Sequence, residues 1–196
     1  MTARSHEVVL RDGTTVVVRP LLARDRRELS DAYDQLSDAS RRRRFFSPPK
    51  QLSQPVLDQL TNLDDSDRFG LVGYVDEGPH RTGLGVARWV RSRTEPFKAD
   101  AAVIVIDDWQ GRGLGTQLLT ELVEEARQRG ITTFTADVLW ENKTIISPLK
   151  ALGAKLVPSE PGVATVEFDL GQTGDANLDE GLKQYFTAVA SDSDVL

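Results

Sequence analysis

The 196-residue chain contains no cysteine, only two histidines and no long apolar run. Without cysteine there can be no disulfide, thiolate metal ligand or cysteine nucleophile, and a reducing compartment, the cytoplasm, is expected. Nowhere do about 18 apolar residues occur together, and no signal-like segment follows the first residues, so neither membrane insertion nor export is expected. The histidines have no metal-ligand spacing with carboxylates, and no metal is predicted.

The chain also has little positive charge relative to negative charge. Its formal net charge of −6 argues against general nucleic-acid binding, because that function depends on a basic field that neutralises phosphates. The exception is the run Arg41–Arg44, which we interpret as a solvated helix face. The alternative is that this run steers an acidic or phosphate-bearing ligand. Because no composition break divides the chain, one domain is expected over residues 1–171, followed by an acidic tail over 172–196 that permits a short helix.

The spacing of apolar residues predicts a mixed α/β order. An Asp-Gly turn at Asp12-Gly13, between two β-branched runs, predicts an N-terminal hairpin. Helices are then expected over 25–36, 37–46 and 55–63, followed by strands over 69–75, 84–90 and 101–106, a helix over 113–129, a strand over 132–139, a helix over 142–152 and a last strand over 163–170.

The segment 103–116 joins an apolar strand to a long helix through three glycines at alternate positions, of which Gly111 is the first. Glycine lets the backbone approach a ligand closely, and the first helical turn presents unpaired amides to a phosphate or pyrophosphate. Arg112 could add a charge-assisted contact. A dinucleotide motif counted from Gly111 would need glycine where Thr116 stands, and Gly-Lys-Ser/Thr is absent from the segment, so both of those phosphate loops fit less well.

The sequence Gln110-Gly111-Arg112-Gly113-Leu114-Gly115 matches the Q/R-x-x-G-x-G/A motif of the Gcn5-related N-acetyltransferase (GNAT) superfamily. Asn142 lies in a segment that resembles the asparagine-containing helix of that family. Leu10–Thr14 and Val18–Leu21 resemble the front of the acetyltransferase domain in bacterial Pat-type protein-lysine acetyltransferases. The resemblance covers about residues 7–170.

The resemblance implies a GNAT fold of the α/β (α+β) class, with a mixed, mostly antiparallel central sheet and helices on both faces. The strand over 101–106 should splay from the strand over 132–139, and acetyl-CoA should lie in that gap. The implied reaction is direct transfer of the acetyl group to an amine, on a small molecule or a protein lysine, in a ternary complex formed by a monomer or homodimer. The implied cofactor contacts are Val103, Val105, Gln110, Gly111, Arg112, Gly113, Leu114, Gly115, Thr116 and Asn142.

An amine with a pKa near 10.4 must lose a proton before it attacks a thioester, and a carboxylate usually accepts that proton. The resemblance points to Asp100, ten residues before the motif glutamine, where the Pat-like pattern has glutamate. Because aspartate is one methylene shorter, a water relay is favoured over direct abstraction. The alternative is that Asp100 is an ordinary carboxylate at a strand edge. Asp107 and Asp108 are interpreted as turn formers.

Leu149 stands where many family members have the tyrosine that protonates the leaving thiolate, so no acid is assigned. With Asp100 in place of glutamate, this departure leaves a second interpretation: a CoA-binding sensor or interaction module with weakened catalysis. A third is a phosphate-binding enzyme outside the superfamily.

Overall fold

The computed structural model describes residues 4–77, 80–151 and 153–171. The predicted acidic tail over 172–196 lies outside these residues. Two short 3-10 turns, Ala23–Asp25 and Asp107–Trp109, accompany the strands and α-helices. In chain order these are β1 (His6–Val9), β2 (Thr15–Pro20), α1 (Arg26–Asp34), α2 (Asp38–Phe45), α3 (Gln54–Thr61), β3 (Arg68–Glu77), β4 (His80–Arg91), β5 (Lys98–Val105), α4 (Leu114–Gln128), β6 (Thr133–Leu139), α5 (Lys143–Ala151), β7 (Lys155–Pro158) and β8 (Val163–Asp169).

The strands form a single sheet in the order β1-β2-β3-β4-β5-β6-β8-β7. All neighbours are antiparallel except β5 and β6, which are parallel. Helix α4 covers one face, where Leu118 and Leu122 are completely buried in the main core with Ala87 and Trp89 of β4. Helices α1, α2 and α3 cover the other face. The mixed sheet with helices on both faces, and the N-terminal hairpin, are therefore confirmed.

Strands β5 and β6 pair only where they begin. Residues 98–100 lie opposite Thr133–Thr135, and no later residues of the two strands are paired. Strand β5 nevertheless continues its pairing with β4 as far as Val105, and β6 pairs with β8 as far as Leu139. The predicted splay is confirmed. Along the open edge, residues 101–104 of β5 are only half-buried, although Ala101, Val103 and Ile104 pack against the main core.

Strand β7 was not predicted, because its four residues are too few to show a period. It pairs with β8 at the sheet edge, with Leu156 opposite Val166. The preceding helix, predicted over 142–152, ends at Ala151, and Gly153 after it has a φ of 84° and donates its amide to the Lys150 carbonyl at 3.0 Å. None of the helices within the described ranges is long and apolar enough to cross a membrane.

A buried ion pair attaches the start of α1 to β2. Two nitrogens of the Arg19 guanidinium each donate to an oxygen of Asp25 at 2.7 Å, and the Leu22 amide donates to the same carboxylate at 2.8 Å. Burial alone would raise the pKa of Asp25, but the hydrogen bonds from Arg19 and from the Leu22 amide outweigh it and leave that pKa lowered. This pair fixes where α1, and the helices that follow it, lie on the sheet.

Candidate active site

A pocket of about 320 Å³ occupies the gap between β5 and β6, and we call it the gap pocket. Its walls come from these two strands, the glycine turn, the C-terminal end of α2 and helix α5. It brings together eight of the residues that the sequence singled out: Asp100, Val103, Val105, Gln110, Gly111, Gly113, Gly115 and Asn142.

Three other residues of the motif are not among those that line the gap pocket. Leu114 is completely buried in the core, and Thr116 is buried. Arg112 donates to the Asp108 carbonyl at 2.8 Å and to Asp12 at 3.2 Å, with its guanidinium 4.5 Å from the centre of the Trp109 ring. Phosphate binding by the Arg112 side chain stays a prediction, and the structure gives that side chain other partners.

The backbone from Gly111 to Thr116 has the shape of an anion cradle. Gly111 and Gly113 adopt φ values of 74° and 98°, which disfavour any residue with a Cβ. No hydrogen bond of the described residues uses an amide of this segment as donor, and the first amide to donate is that of Gln117, to the Gly113 carbonyl at 3.1 Å. The Thr116 hydroxyl is also buried without a partner in the described part of the chain. Six adjacent amides at the positive end of α4 fit phosphate oxygens.

The open edge of β5 carries backbone groups towards the gap. The Ile106 amide donates to the Leu84 carbonyl of β4 at 2.9 Å. Because successive residues of a strand point their amides and carbonyls to opposite sides, those of Val103 and Val105 point towards β6. The Val105 carbonyl accepts from the Gln110 side chain at 2.9 Å. Gln110 thus closes the end of the open edge, and Val103 offers its backbone to a ligand.

Asp100 lies on β5 at the last position that pairs with β6, and its side chain lies on the sheet face towards α2. Arg88 of β4 lies diagonally next to it on that face, and Arg44 of α2 reaches the same pocket wall. The carboxylate is open to solvent through the pocket, yet the surrounding protein desolvates it, and this desolvation raises its pKa. The positive charges of Arg44 and, to a smaller extent, Arg88 lower the pKa of Asp100, and the negative charge of Asp137 raises it. A carboxylate of raised pKa is suited to accept a proton.

The run Arg41–Arg44 is not simply the solvated face that its sequence suggested. The Arg41 guanidinium lies 4.7 Å from the centre of the Tyr33 ring and donates to the Asp34 carbonyl at 3.0 Å. Arg44 is half-buried and lies 5.1 Å from the centre of the Phe45 ring. Only the middle of the run keeps the expected exposure, so that interpretation is wrong for its two ends.

Asp107 determines where α2 lies. Its carboxylate accepts hydrogen bonds from the Ser37 amide at 2.9 Å, the Ser37 hydroxyl at 2.8 Å and the Ser40 hydroxyl at 2.8 Å. It lies in the 3-10 turn after β5, as its interpretation as a turn former requires. The turn therefore connects the end of β5 to the start of α2, and so sets the position of Arg44 relative to Asp100.

The gap pocket offers no obvious proton donor for a leaving group. Leu149 lines it, and no tyrosine, histidine or cysteine is among the described residues of its walls. Across residues 4–77, 80–151 and 153–171 there is no group of three histidines or carboxylates that could hold a metal ion.

The sequence matches the Acetyltransferase (GNAT) family over residues 32–153. It is 34% identical over 121 residues to an acetyltransferase of Pseudomonas aeruginosa and 32% identical over 163 residues to the acetyltransferase Pat of Mycolicibacterium smegmatis. These matches cover 62% and 83% of this chain but only 64% and 48% of the two relatives, so the chain spans less than two thirds of either. The crystal structure of the GNAT domain of S. lividans PAT aligns with a TM-score of 0.74 at 35% identity, over 84% of this chain and 96% of that domain. The chain belongs to the GNAT acetyltransferase family.

Proposed function

We propose that this protein transfers an acetyl group from acetyl-CoA to an amine and that protein lysines are among its acceptors. One observation carries the proposal. The gap pocket runs from the unpaired amides at the start of α4, along the open edge of β5, to the carboxylate of Asp100. The phosphate cradle, the open strand edge and the candidate base thus follow one another along the pocket. This is the order of the phosphates, the extended arm and the reacting thioester in acetyl-CoA, with the amine at the far end.

Each part of the pocket has an assigned role in binding acetyl-CoA. The amides of 111–116 hold the pyrophosphate, the backbone of Val103 and Val105 pairs with the extended arm, and Asn142 contacts the cofactor from the start of α5. Most of these contacts are made by the main chain, and Leu114 and Thr116 therefore contribute through their amides although their side chains are buried. The bond between Gln110 and the Val105 carbonyl leaves the amide of Val105 to the ligand.

The chemistry assigned to the chain is proton removal and charge stabilisation. Asp100, or a water that it orients, accepts a proton from the amine nitrogen as that nitrogen attacks. Amides on the open edge of β5 donate to the oxygen that gains negative charge. The chain contains no cysteine, and we infer direct transfer without an acyl-enzyme. A thiolate with a pKa near 8.5 can leave without a dedicated acid, which fits the presence of Leu149.

The lysine acceptor rests on the resemblance of the first part of the chain to Pat-type enzymes and on the identity with the Mycolicibacterium smegmatis acetyltransferase Pat. Because the chain spans about half of that relative, regulation by any further domain is not carried over. A cytoplasmic location fits a reaction that draws on acetyl-CoA and an absence of cysteine.

The test is calorimetric titration with acetyl-CoA, followed in the same sample by thiol release when amines and lysine peptides are added. Tight binding with acceptor-dependent thiol release is the expected result. Binding without release for every acceptor would contradict the transferase and favour a CoA-binding sensor. If no CoA species binds, the role of the glycine turn is wrong, and a different phosphate ligand should be sought.

A further inference from the structure

Two arginines lie near Asp100 at the acceptor end of the gap pocket: Arg44 lines the pocket itself, and Arg88 lies next to Asp100 on the sheet, outside the pocket lining. Among the residues that the structure describes, the guanidinium groups of Arg44 and Arg88 make no hydrogen bond and no ion pair within 4.0 Å, whereas their neighbours Arg41, Arg42 and Arg91 do. Both side chains are half-buried. Burial lowers the pKa of both guanidinium groups, so an anion that accepts their hydrogen bonds would be bound more strongly here than at an exposed arginine.

The register of the sheet places these groups beside the base candidate. Arg88 pairs with Ala102 and Asp100 pairs with Val90, so Arg88 and Asp100 are diagonal neighbours on one face, with Cβ atoms about 7 Å apart. Arg44 descends onto this face from α2 and lines both the gap pocket and a smaller apolar cavity of about 50 Å³ beneath α1 and α2. Arg44 therefore connects the two spaces: it lines the smaller cavity together with Arg88 and the gap pocket together with Asp100, and the charges of the three groups act on one another.

The position of the two arginines separates them from the phosphate cradle. Val105 is five residues after Asp100 along the extended strand, a distance of about 16 Å, and the cradle follows beyond Val105. Arg88, opposite Ala102, lies towards the Asp100 end of that distance. An anion held by Arg44 and Arg88 therefore belongs to the acceptor and not to the phosphates of the cofactor.

We propose that Arg44 and Arg88 bind a carboxylate of the acceptor, so that the preferred substrate carries a carboxylate next to the amine that Asp100 deprotonates. This inference rests on the proposed acetyltransferase function. The carboxylate can be the α-carboxylate of a free amino acid or an acidic side chain beside a lysine in a protein. In both cases the planar guanidinium donors match a carboxylate, and the apolar surroundings of Arg44, with Phe45 against its face, strengthen the attraction.

Binding of that carboxylate also changes the pKa of Asp100, the candidate base. Arg44 and Arg88 both lower the pKa of Asp100, and a bound anion offsets their charges. The pKa of Asp100 then rises further, and the carboxylate becomes a stronger proton acceptor when the correct substrate is present. The same residues would therefore serve recognition and activation together.

The test compares acceptors that differ only in the carboxylate. L-leucine is compared with L-leucinamide, and a lysine peptide with glutamate after the lysine is compared with the same peptide carrying glutamine. We expect kcat/KM to favour the carboxylate about ten- to hundredfold in at least one pair, the range of a charged hydrogen-bonded contact. The amine of leucinamide is less basic and so intrinsically easier to deprotonate, which works against this result. The pair that shows the preference identifies the source of the carboxylate.

The variants R44Q and R88Q should reduce the preference to less than about threefold and leave the Kd of acetyl-CoA unchanged. R42Q is the matched control, since Arg42 is on the same helix and pairs with the exposed Glu141 at 3.1 Å. It should keep the preference. Equal kcat/KM within every pair, or a preference that survives in both R44Q and R88Q, would overturn the proposal.

A second measurement is independent of turnover. Calorimetry in the presence of CoA compares N-acetyl-L-leucine with its carboxamide, and the acetyl-lysine peptide that carries glutamate with its glutamine form. Carboxylate-selective binding that R44Q and R88Q abolish would support this site even if no amine were acetylated, in which case the proposed function alone would fail. Absence of selectivity in every product pair, with acetylation intact, would overturn the carboxylate site alone.

Discussion

The substitution of Asp100 by asparagine tests the chemistry most directly. At pH 7 an amine with a pKa near 10.4 is neutral in only about one molecule in 2,500, and a general base typically contributes about 10²- to 10⁴-fold to the rate. Because Asp100 is short and acts through a water, we expect the lower end, about a hundredfold loss of kcat/KM. The Kd of acetyl-CoA should change less than about twofold, because the phosphate cradle lies beyond the far end of β5, about 16 Å away.

The assay for Asp100→Asn is thiol release at several concentrations of the acceptor, with calorimetry for the cofactor. Asp108→Asn is the control, because Asp108 is an exposed carboxylate whose backbone carbonyl, and not its side chain, accepts from Arg112. It should leave both quantities unchanged. Turnover in Asp100→Asn above about a third of the original value, or a loss of cofactor affinity equal to the loss of rate, would refute the assignment of the base.

The pH dependence follows from the raised pKa of Asp100. The ionised form accepts the proton, so kcat/KM should fall as pH decreases through a pKa above 3.8, the ordinary value, and this limb should disappear in Asp100→Asn. The effect of this group on the free energy of unfolding has the opposite pH dependence to that of most carboxylates, whose pKa is lowered by folding. Because folding raises this pKa, its contribution to the free energy of unfolding is fully present below 3.8 and is lost as pH rises through the folded pKa. Asp100→Asn should therefore not be less stable than the parent at pH 7.

Three further substitutions test the supporting structure. Gly113→Ala places a Cβ at a φ of 98° and 3.3 Å from an arginine side chain, so calorimetry should show acetyl-CoA binding about tenfold more weakly. Gly130→Ala is the control, because Gly130 has a φ of 74° but open space around it, and this variant should leave the Kd of acetyl-CoA unchanged. Asp25→Asn leaves the buried Arg19 charge without its counter-ion, and urea unfolding should show a loss of about 3–5 kcal/mol; a loss below about 1 kcal/mol would contradict this. Asp107→Asn should cost about 1–3 kcal/mol and lower turnover more than cofactor affinity, because it releases the start of α2; unchanged values of both would remove its role.

The helices and strands that could be predicted are those whose apolar residues recur at a regular spacing or whose ends are marked by residues such as glycine. Helix α4 shows apolar residues at helical spacing and a terminal glycine, and its observed limits differ from the predicted 113–129 by one residue at each end. Strand β7 carries neither signal and exists because β8 offers it an edge. The apolar sequence of β5 likewise does not show that residues 101–104 are half-buried, because apolar side chains suit both a paired strand and a strand beside a ligand pocket.

Some parts of the candidate site could likewise be predicted from the sequence, and others could not. The glycine turn could be predicted because its residues are contiguous and each supplies backbone, whose conformation is local. The run that contains Arg44 allowed two interpretations, a solvated face or a guide for an acidic ligand, and the choice between them depends on tertiary placement. Arg88 was not singled out, because its position beside Asp100 depends on strand pairing. A signal existed for Arg88, the one charged residue between Leu84 and Val90, since a charge within an otherwise apolar strand run needs a partner or a function.

The departure of Asp100 from the Pat-like pattern and the unpaired state of Arg88 have one physical explanation. A glutamate at position 100 would carry its carboxylate about one methylene further from β5, and we expect it to interact more strongly with the Arg88 guanidinium on the same face. Such an interaction would lower the pKa of the base and occupy the cation. The shorter aspartate keeps the raised pKa, and among the described residues it leaves Arg88 without an ion-pair partner. If Asp100 is the base, the missing methylene weakens direct proton abstraction, but we expect it to leave a stronger base and an Arg88 guanidinium able to bind an acceptor that carries its own carboxylate.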